Sequence, residues 1–122
     1  MATRVLLGSG GIATEDRRET YRSLVSAHFS DCEEVLFVPY ASDDHESYTS
    51  RMQGFLGGEG PKLVGIHTSE DAGAAVMNAD GIYVGGGNSF LLISALHETG
   101  LLSPIRERVA QGMPYLGVSA GS

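Results

Sequence analysis

Five short runs of almost continuously apolar residues recur along the chain, at positions 4–7, 35–40, 62–66, 81–84 and 114–118. None of them alternates between apolar and polar positions, which is typical of strands buried on both faces of a parallel sheet. The segments between the runs carry apolar residues at helical spacing instead. The pattern therefore predicts five strands and five helices in a β-α alternation that ends on a strand.

Capping and turn residues predict where the helices begin and end. The predicted starts are Thr14, Ser42 or Asp43, Ser69, Asn88 or Ser89, and Ser103. Pro104 follows Ser103 at the first helical position, where its missing N–H costs nothing. Gly100 and Gly112 follow the last two helices. Apolar spacing predicts inward faces for the first two helices, made of Tyr21, Leu24, Val25, His28 and Phe29, and of Tyr48, Met52, Phe55 and Leu56.

This alternation predicts an α/β fold with three layers, in which helices cover both faces of a doubly wound, mostly parallel sheet with five β-α units. Residues 1–122 are predicted to form a single α/β domain. Folds of this type bind ligands outside the carboxyl ends of the strands. The loops that follow the strands are therefore the places to look for function.

Composition excludes several classes of function. The net charge is −7 with only eight Lys and Arg residues, so no basic stripe is available for nucleic acid. No apolar run approaches the roughly 20 residues that a membrane-spanning helix needs. The single cysteine, Cys32, cannot form an internal disulfide, and the chain starts without a secretion signal. A cytoplasmic protein is the expectation.

The loop after the first strand, "LGSGGI", raises the question of a dinucleotide site. Gly8, Gly10 and Ala13 fit the loose glycine fingerprint of such sites. The second strand, however, ends in 39–41 with Pro, Tyr and Ala, none of which can hold a ribose. A tight turn is the favoured interpretation, and no cofactor is expected.

Two other loops point to nucleophilic chemistry. "GVSAGS" after the fifth strand has the G-x-S-x-G pattern of a nucleophile elbow, with Ser119 at its centre. In such an elbow the N–H of the next residue, Ala120, faces the developing oxyanion, and a second donor must come from a neighbouring strand end. The glycines of "VGGGNSF" after the fourth strand are the available donors.

A serine nucleophile also needs a base to take its proton. His28, His45 and His97 fall within or beside helices, and His67 alone ends a strand and could lie near the active edge. A lone histidine is more often a packing or surface residue, so none of the four is a strong candidate.

The motifs "FVPYAS", "VGGGNSF", "GLLSPI" and "GVSAGS" resemble those of the peptidase E family, the α-aspartyl dipeptidases. The resemblance implies a flavodoxin-like fold similar to class I glutamine amidotransferases, and hydrolysis of Asp-X dipeptides through an acyl-enzyme without metal or cofactor. Carried over by motif, it makes Ser119 the nucleophile, the N–H groups of Gly87 and Ala120 the oxyanion hole, and Asn88 a substrate-binding residue.

The same resemblance implies that the catalytic histidine, its acidic partner and the residues that recognise aspartate follow the nucleophile. We therefore expect this chain to be the N-terminal portion of a longer peptidase domain, completed by a C-terminal segment, a partner chain or a second copy. Alone, it is expected to be inactive and unstable or self-associating, with its fifth strand open at one edge. The alternatives are a cyanophycinase-like hydrolase of β-aspartyl-arginine and a non-catalytic anion-binding module.

Overall fold

The computed structural model describes residues 5–8, 15–57 and 60–118. The strands are β1 (Val5–Gly8), β2 (Glu34–Val38), β3 (Lys62–Gly65), β4 (Ile82–Val84) and β5 (Tyr115–Val118). The helices are α1 (Glu15–His28), α2 (His45–Leu56), α3 (Ala72–Asn78), α4 (Ser89–Thr99) and α5 (Leu102–Ala110). A short 3-10 helix, Ile66–Thr68, follows β3. The five predicted strands and five predicted helices are confirmed.

All five strands form one parallel sheet, in the order β1-β5-β4-β2-β3. Alternate side chains of the strands enter two separate cores. Leu36 and Val38 pack in the core beneath α3, α4 and α5, whereas Val35 and Phe37 pack in the core beneath α1 and α2. The sheet is thus covered by helices on both faces, and the predicted three-layer α/β fold is confirmed.

The position of β5 corrects one prediction. We expected β5 to lie open at one edge, but it pairs with β1 on one side and with β4 on the other. Its Leu116 is completely buried, with 0% of its surface exposed. The edges of the sheet are β1 and β3, because the last strand inserts between two strands that come earlier in the chain.

Three predicted helix caps are wrong by one or two residues. Helix α2 is capped by Asp44, whose carboxylate accepts a hydrogen bond from the N–H of Ser47, and not by Ser42 or Asp43. Helix α3 is capped by Asp71 in the same way, and not by Ser69, because the 3-10 helix occupies the residues before it.

Helix α5 begins at Leu102, before the predicted cap Ser103. Its first turn is fixed by the buried Leu101, whose carbonyl accepts a hydrogen bond from Ile105 N–H. Pro104 remains in the first turn, where the missing N–H has no helical acceptor to lose. Gly100 ends α4 in the left-handed conformation, as expected, and Thr14 lies outside the described residues.

The inward face of α1 is narrower than predicted. Val25 and Phe29 are buried at i, i+4 spacing, and Tyr21 continues the same line with a hydroxyl that hydrogen-bonds to that of Tyr83. Leu24 is 51% exposed, so the prediction that it faces inward is wrong. It lies about 100° around the helix from Val25, beyond the strip that meets the sheet.

The tyrosines predict how stability changes at alkaline pH. Burial raises the pKa of all five, namely Tyr21, Tyr40, Tyr48, Tyr83 and Tyr115. Above about pH 10 the phenols of the unfolded chain lose protons that the folded chain retains, so the free energy of unfolding must fall. We therefore expect the tyrosines to make their full contribution to the free energy of unfolding below about pH 10, and a progressively smaller contribution above it.

Urea unfolding followed by circular dichroism at pH 8 and at about pH 11 would measure this loss. Phenolate absorbance provides the control, since the tyrosines should titrate near their ordinary pKa of about 10 in denaturant and above it in the folded chain. Equal free energies of unfolding at the two pH values would contradict the prediction.

Candidate active site

The loop between β4 and α4 is the feature on which the site is built. It contains Gly85, Gly86, Gly87 and Asn88, and backbone hydrogen bonds attach its ends to the last residue of β2 and to the segment that follows β2. The N–H of Gly85 donates to Val38 at 3.1 Å, and that of Asn88 donates to Ala41 at 2.9 Å. The loop is therefore held against the neighbouring strand end and does not project freely.

Two of its glycines cannot carry a side chain. Gly87 has a φ of +144°, and a Cβ there would lie 2.9 Å from the carbonyl oxygen of Ala41. A Cβ on Gly85 would lie 2.6 Å from the hydroxyl oxygen of Tyr48 and 2.9 Å from the ring of Phe37. The close approach of Gly87 to the Ala41 backbone, and of Gly85 to the side chains of Tyr48 and Phe37, thus requires glycine.

Asn88 is the N-cap of α4, in agreement with the prediction that this helix starts at Asn88 or Ser89. Its side-chain oxygen accepts hydrogen bonds from Phe90 N–H at 2.9 Å and from Leu91 N–H at 3.1 Å. Two of the four N–H groups that a helix leaves unpaired at its start are therefore already satisfied. The N-terminus of α4 is consequently occupied by its own cap.

The loop lies beside the end of β5. In the parallel pairing of β4 with β5, Val84 is opposite Gly117, so the carboxyl ends of the two strands lie side by side. The prediction that the glycine loop belongs to a strand next to the elbow strand is confirmed. Ser119, Ala120 and Gly121 lie outside the described residues, as do Gly10 and Ala13 of the "LGSGGI" segment.

An open cleft of about 480 Å³ adjoins the loop. Its lining residues are Ala41, Ser42, Asp43, Tyr48, Arg51, Gly86, Gly87, Asn88 and Leu91. This volume is in the range of small-molecule sites. Arg51 and Asp43 bring opposite charges to the cleft, and the backbone of the glycine loop forms another part of its wall.

Tyr48 connects α2 to the glycine loop. Its hydroxyl donates a hydrogen bond to the carbonyl oxygen of Gly86 at 2.7 Å. Burial raises the pKa of Tyr48, the neighbouring Tyr21 adds to the rise, and Arg51 opposes it. The phenol therefore stays protonated at neutral pH and remains a donor to the loop.

Sequence reasoning missed the part that Tyr48 and Arg51 play in the cleft. Apolar spacing indicated that Tyr48 faces inward, which it does, but the spacing could not indicate the acceptor of its hydroxyl. The guanidinium carbon of Arg51 lies 5.3 Å from the centre of the Tyr48 ring, within the range of a cation–π contact. The only signal for Arg51 was its position three residues after Tyr48, one turn along α2.

His67 lies far from the elbow strand. It follows β3, and β2 and β4 separate β3 from β5, which puts about 14 Å between the two strand ends at the usual strand spacing. Its Nε2 lies 2.7 Å from a carboxylate oxygen of Glu46. This pair lies beside β3, away from the glycine loop and β5. His28 is hydrogen-bonded to the carbonyl oxygen of Tyr115, and His97 lies in the last turn of α4.

Neither metal ligands nor membrane segments stand out in the described ranges. Among those residues, no three His, Cys, Asp or Glu side chains come together in a way that could hold a metal ion. No helix within them is long and apolar enough to cross a bilayer. Cys32 keeps its thiol, which donates to the carbonyl of Asp80 at 3.3 Å.

Comparisons with known proteins agree on one family. The sequence model of peptidase family S51 matches residues 5–122. Peptidase E of Streptomyces coelicolor is 48% identical over 88 residues, which cover 72% of this chain and 36% of the relative. A Drosophila melanogaster protein assigned as an alpha-aspartyl dipeptidase is 49% identical over 89 residues, covering 72% of this chain and 37% of the relative.

Solved structures give the same fold. A Listeria monocytogenes protein assigned to peptidase E superimposes with a TM-score of 0.68 at 27% identity, covering 98% of this chain and 60% of the other. A peptidase from an acI-B1 Actinobacterium superimposes with a TM-score of 0.65 at 21% identity, covering 96% of this chain and 54% of the other. The chain thus spans little more than a third of the curated relatives named above.

Proposed function

Because the chain belongs to peptidase family S51, we propose that it carries the nucleophile and the oxyanion-binding loop of a serine dipeptidase that hydrolyses Asp-X dipeptides. The observation that carries the proposal is the pairing of β4 with β5, which puts the end of the strand before the glycine loop next to the end of the strand that leads into "GVSAGS". An elbow serine needs its second oxyanion donor from just such a neighbouring strand end.

The proposed reaction assigns a role to each predicted residue. The Oγ of Ser119 attacks the scissile carbonyl carbon while a base takes its proton, and the N–H groups of Gly87 and Ala120 stabilise the oxyanion. The C–N bond then breaks as the amine receives that proton, leaving an aspartyl ester on Ser119. Water hydrolyses the ester by the same steps in reverse. Asn88, which lines the cleft next to Gly87, is proposed to contact the substrate.

The base is proposed to come from outside this copy of residues 1–122. Of the histidines, His67 lies beside β3 and is about 14 Å from the end of β5, beyond the reach of a hydrogen bond. We use the term complete peptidase for this chain together with the segment that supplies the histidine and its acidic partner. That segment is a C-terminal continuation, a partner chain or a second copy.

The relatives support an α-linked aspartyl dipeptide as substrate over a β-linked aspartyl-arginine. One of them is assigned as an alpha-aspartyl dipeptidase, and others bear the name peptidase E. No cofactor has a role in the proposed chemistry. We also propose a cytoplasmic location, which the thiol of Cys32 supports because reducing compartments preserve thiols.

Covalent labelling tests this proposal. A fluorophosphonate should phosphonylate the complete peptidase once, on the peptide that contains Ser119, because it reacts with serines activated by a base. Mass spectrometry of the intact protein and of its peptides would locate the adduct. A heat-denatured sample is the control and should remain unlabelled. No adduct in the folded complete peptidase would contradict the proposal and favour a non-catalytic anion-binding module.

A further inference from the structure

We propose that Arg51 binds a carboxylate of the dipeptide substrate in the cleft beside the glycine loop. The inference rests on the function proposed above and assigns one further residue to substrate recognition. An aspartyl dipeptide carries an ammonium group and two carboxylates, so its net charge is −1 at neutral pH. The chain has a net charge of −7 and would repel such a substrate without a local cation.

Arg51 is available for this contact. It lies on the exposed surface of α2 and lines the cleft together with Gly86 and Gly87. Among the side chains that the structure describes, no carboxylate lies within 4 Å of its guanidinium. The planar fork of an arginine without such a partner matches the two oxygens of a substrate carboxylate.

The ring of Tyr48 positions Arg51. The guanidinium carbon lies 5.3 Å from the centre of that ring, and Tyr48 is fixed by its hydrogen bond to Gly86. A cation over an aromatic face is attracted by the charge distribution of the ring. The contact therefore holds the guanidinium beside the cleft.

The other positive feature of the cleft is already in use. The N-terminus of α4 points toward the loop, but Asn88 accepts hydrogen bonds from the N–H groups of Phe90 and Leu91. Arg51 is therefore the cation that the cleft offers to an anion. Asp43 lines the same cleft with the opposite charge, which suits a ligand that carries both an ammonium and a carboxylate.

Binding measurements test the proposal without depending on turnover. The protein is the complete peptidase with Ser119→Ala, and calorimetry measures the Kd of three ligands: Asp-Leu, Asp-Leu amide, which lacks the C-terminal carboxylate, and Asn-Leu, which lacks the side-chain carboxylate. Arg51→Gln should raise the Kd of Asp-Leu about tenfold. The Kd of one analogue, the one that lacks the carboxylate bound by Arg51, should stay unchanged. The unaffected analogue therefore identifies that carboxylate.

The control is Arg106→Gln, which removes the same charge from an exposed position on α5, away from the cleft. Arg51→Lys should recover part of the affinity, because lysine retains the charge but lacks the planar fork. Equal effects of Arg51→Gln on all three ligands, no effect on Asp-Leu, or no binding of any ligand would overturn the proposal. If this binding pattern is found but the complete peptidase with Ser119 intact shows neither hydrolysis nor fluorophosphonate labelling, the result would count against the proposed reaction alone.

Discussion

Replacing Ser119 by alanine is expected to lower kcat of the complete peptidase for Asp-Leu by about 10⁴- to 10⁶-fold. The substitution removes the Oγ that is proposed to form the acyl-enzyme, so the base and the oxyanion donors are left to assist a water molecule. Substrate binding should persist, because the proposed contact of Arg51 with a substrate carboxylate does not involve the serine hydroxyl. The loss should therefore appear in kcat with little change in the binding constant.

Steady-state hydrolysis of Asp-Leu, followed by release of leucine, measures this effect. Ser103→Ala is the matched control, since Ser103 is an exposed serine of α5 whose side chain does not cap the helix. This control should retain full activity. Hydrolysis that continues at the normal rate with alanine at position 119 would rule out Ser119 as the nucleophile.

The second large effect is expected at Gly87. Gly87→Ala places a methyl group 2.9 Å from the carbonyl oxygen of Ala41, at a residue with a φ of +144°. The loop must shift to relieve this contact, and the N–H of Gly87 then turns away from the proposed oxyanion. Loss of one oxyanion donor lowers kcat by about 10²- to 10³-fold, and the strain should also destabilise the fold by about 1–3 kcal/mol.

Two measurements separate the consequences of this substitution. Thermal unfolding reports the strain, and kcat below the unfolding temperature reports the loss of the donor. Gly54→Ala is the control, because Gly54 lies within α2 and a methyl group there would have nothing within 4 Å of it. Alanine there should be neutral or stabilising by about 0.5–1 kcal/mol. Full activity of Gly87→Ala would exclude Gly87 N–H as an oxyanion donor.

The layout of the fold could be predicted from local sequence, whereas the order of the strands could not. Each apolar run is long enough for a strand but too short for a helix. None of the runs alternates between apolar and polar residues, which indicates burial on both faces of the sheet. Strand order depends on where each connecting helix places the next strand in the sheet. The spacing of apolar residues within one strand does not contain that information. The prediction of β5 as an edge strand failed for this reason.

Helix starts were ambiguous where several residues can act as caps. Ser42, Asp43 and Asp44 are consecutive and all suit an N-cap. The docking of α2 on the sheet selects Asp44, and this choice leaves Ser42 and Asp43 to line the cleft. The N-cap preferences of Ser and Asp alone do not distinguish among these three positions.

The glycine loop could be located from sequence because three consecutive glycines directly after a strand indicate a tight turn with an exposed backbone. The cleft beside it could not. Tyr48 and Arg51 belong to a helix that follows a different strand, and only the packing of that helix brings their side chains to the loop. The cleft thus depends on tertiary contacts between segments distant in sequence, Tyr48 and Gly86 being 38 residues apart.

The pairing of β1 with β5 also determines when the first strand can fold. Residues 5–8 have their partners at 115–118, so β1 has no strand to pair with until β5 has been synthesised. At roughly 5–20 residues per second, β1 waits for about 5–20 s for its partner. A chaperone that protects the emerging β1 should therefore raise the yield of folded protein during synthesis.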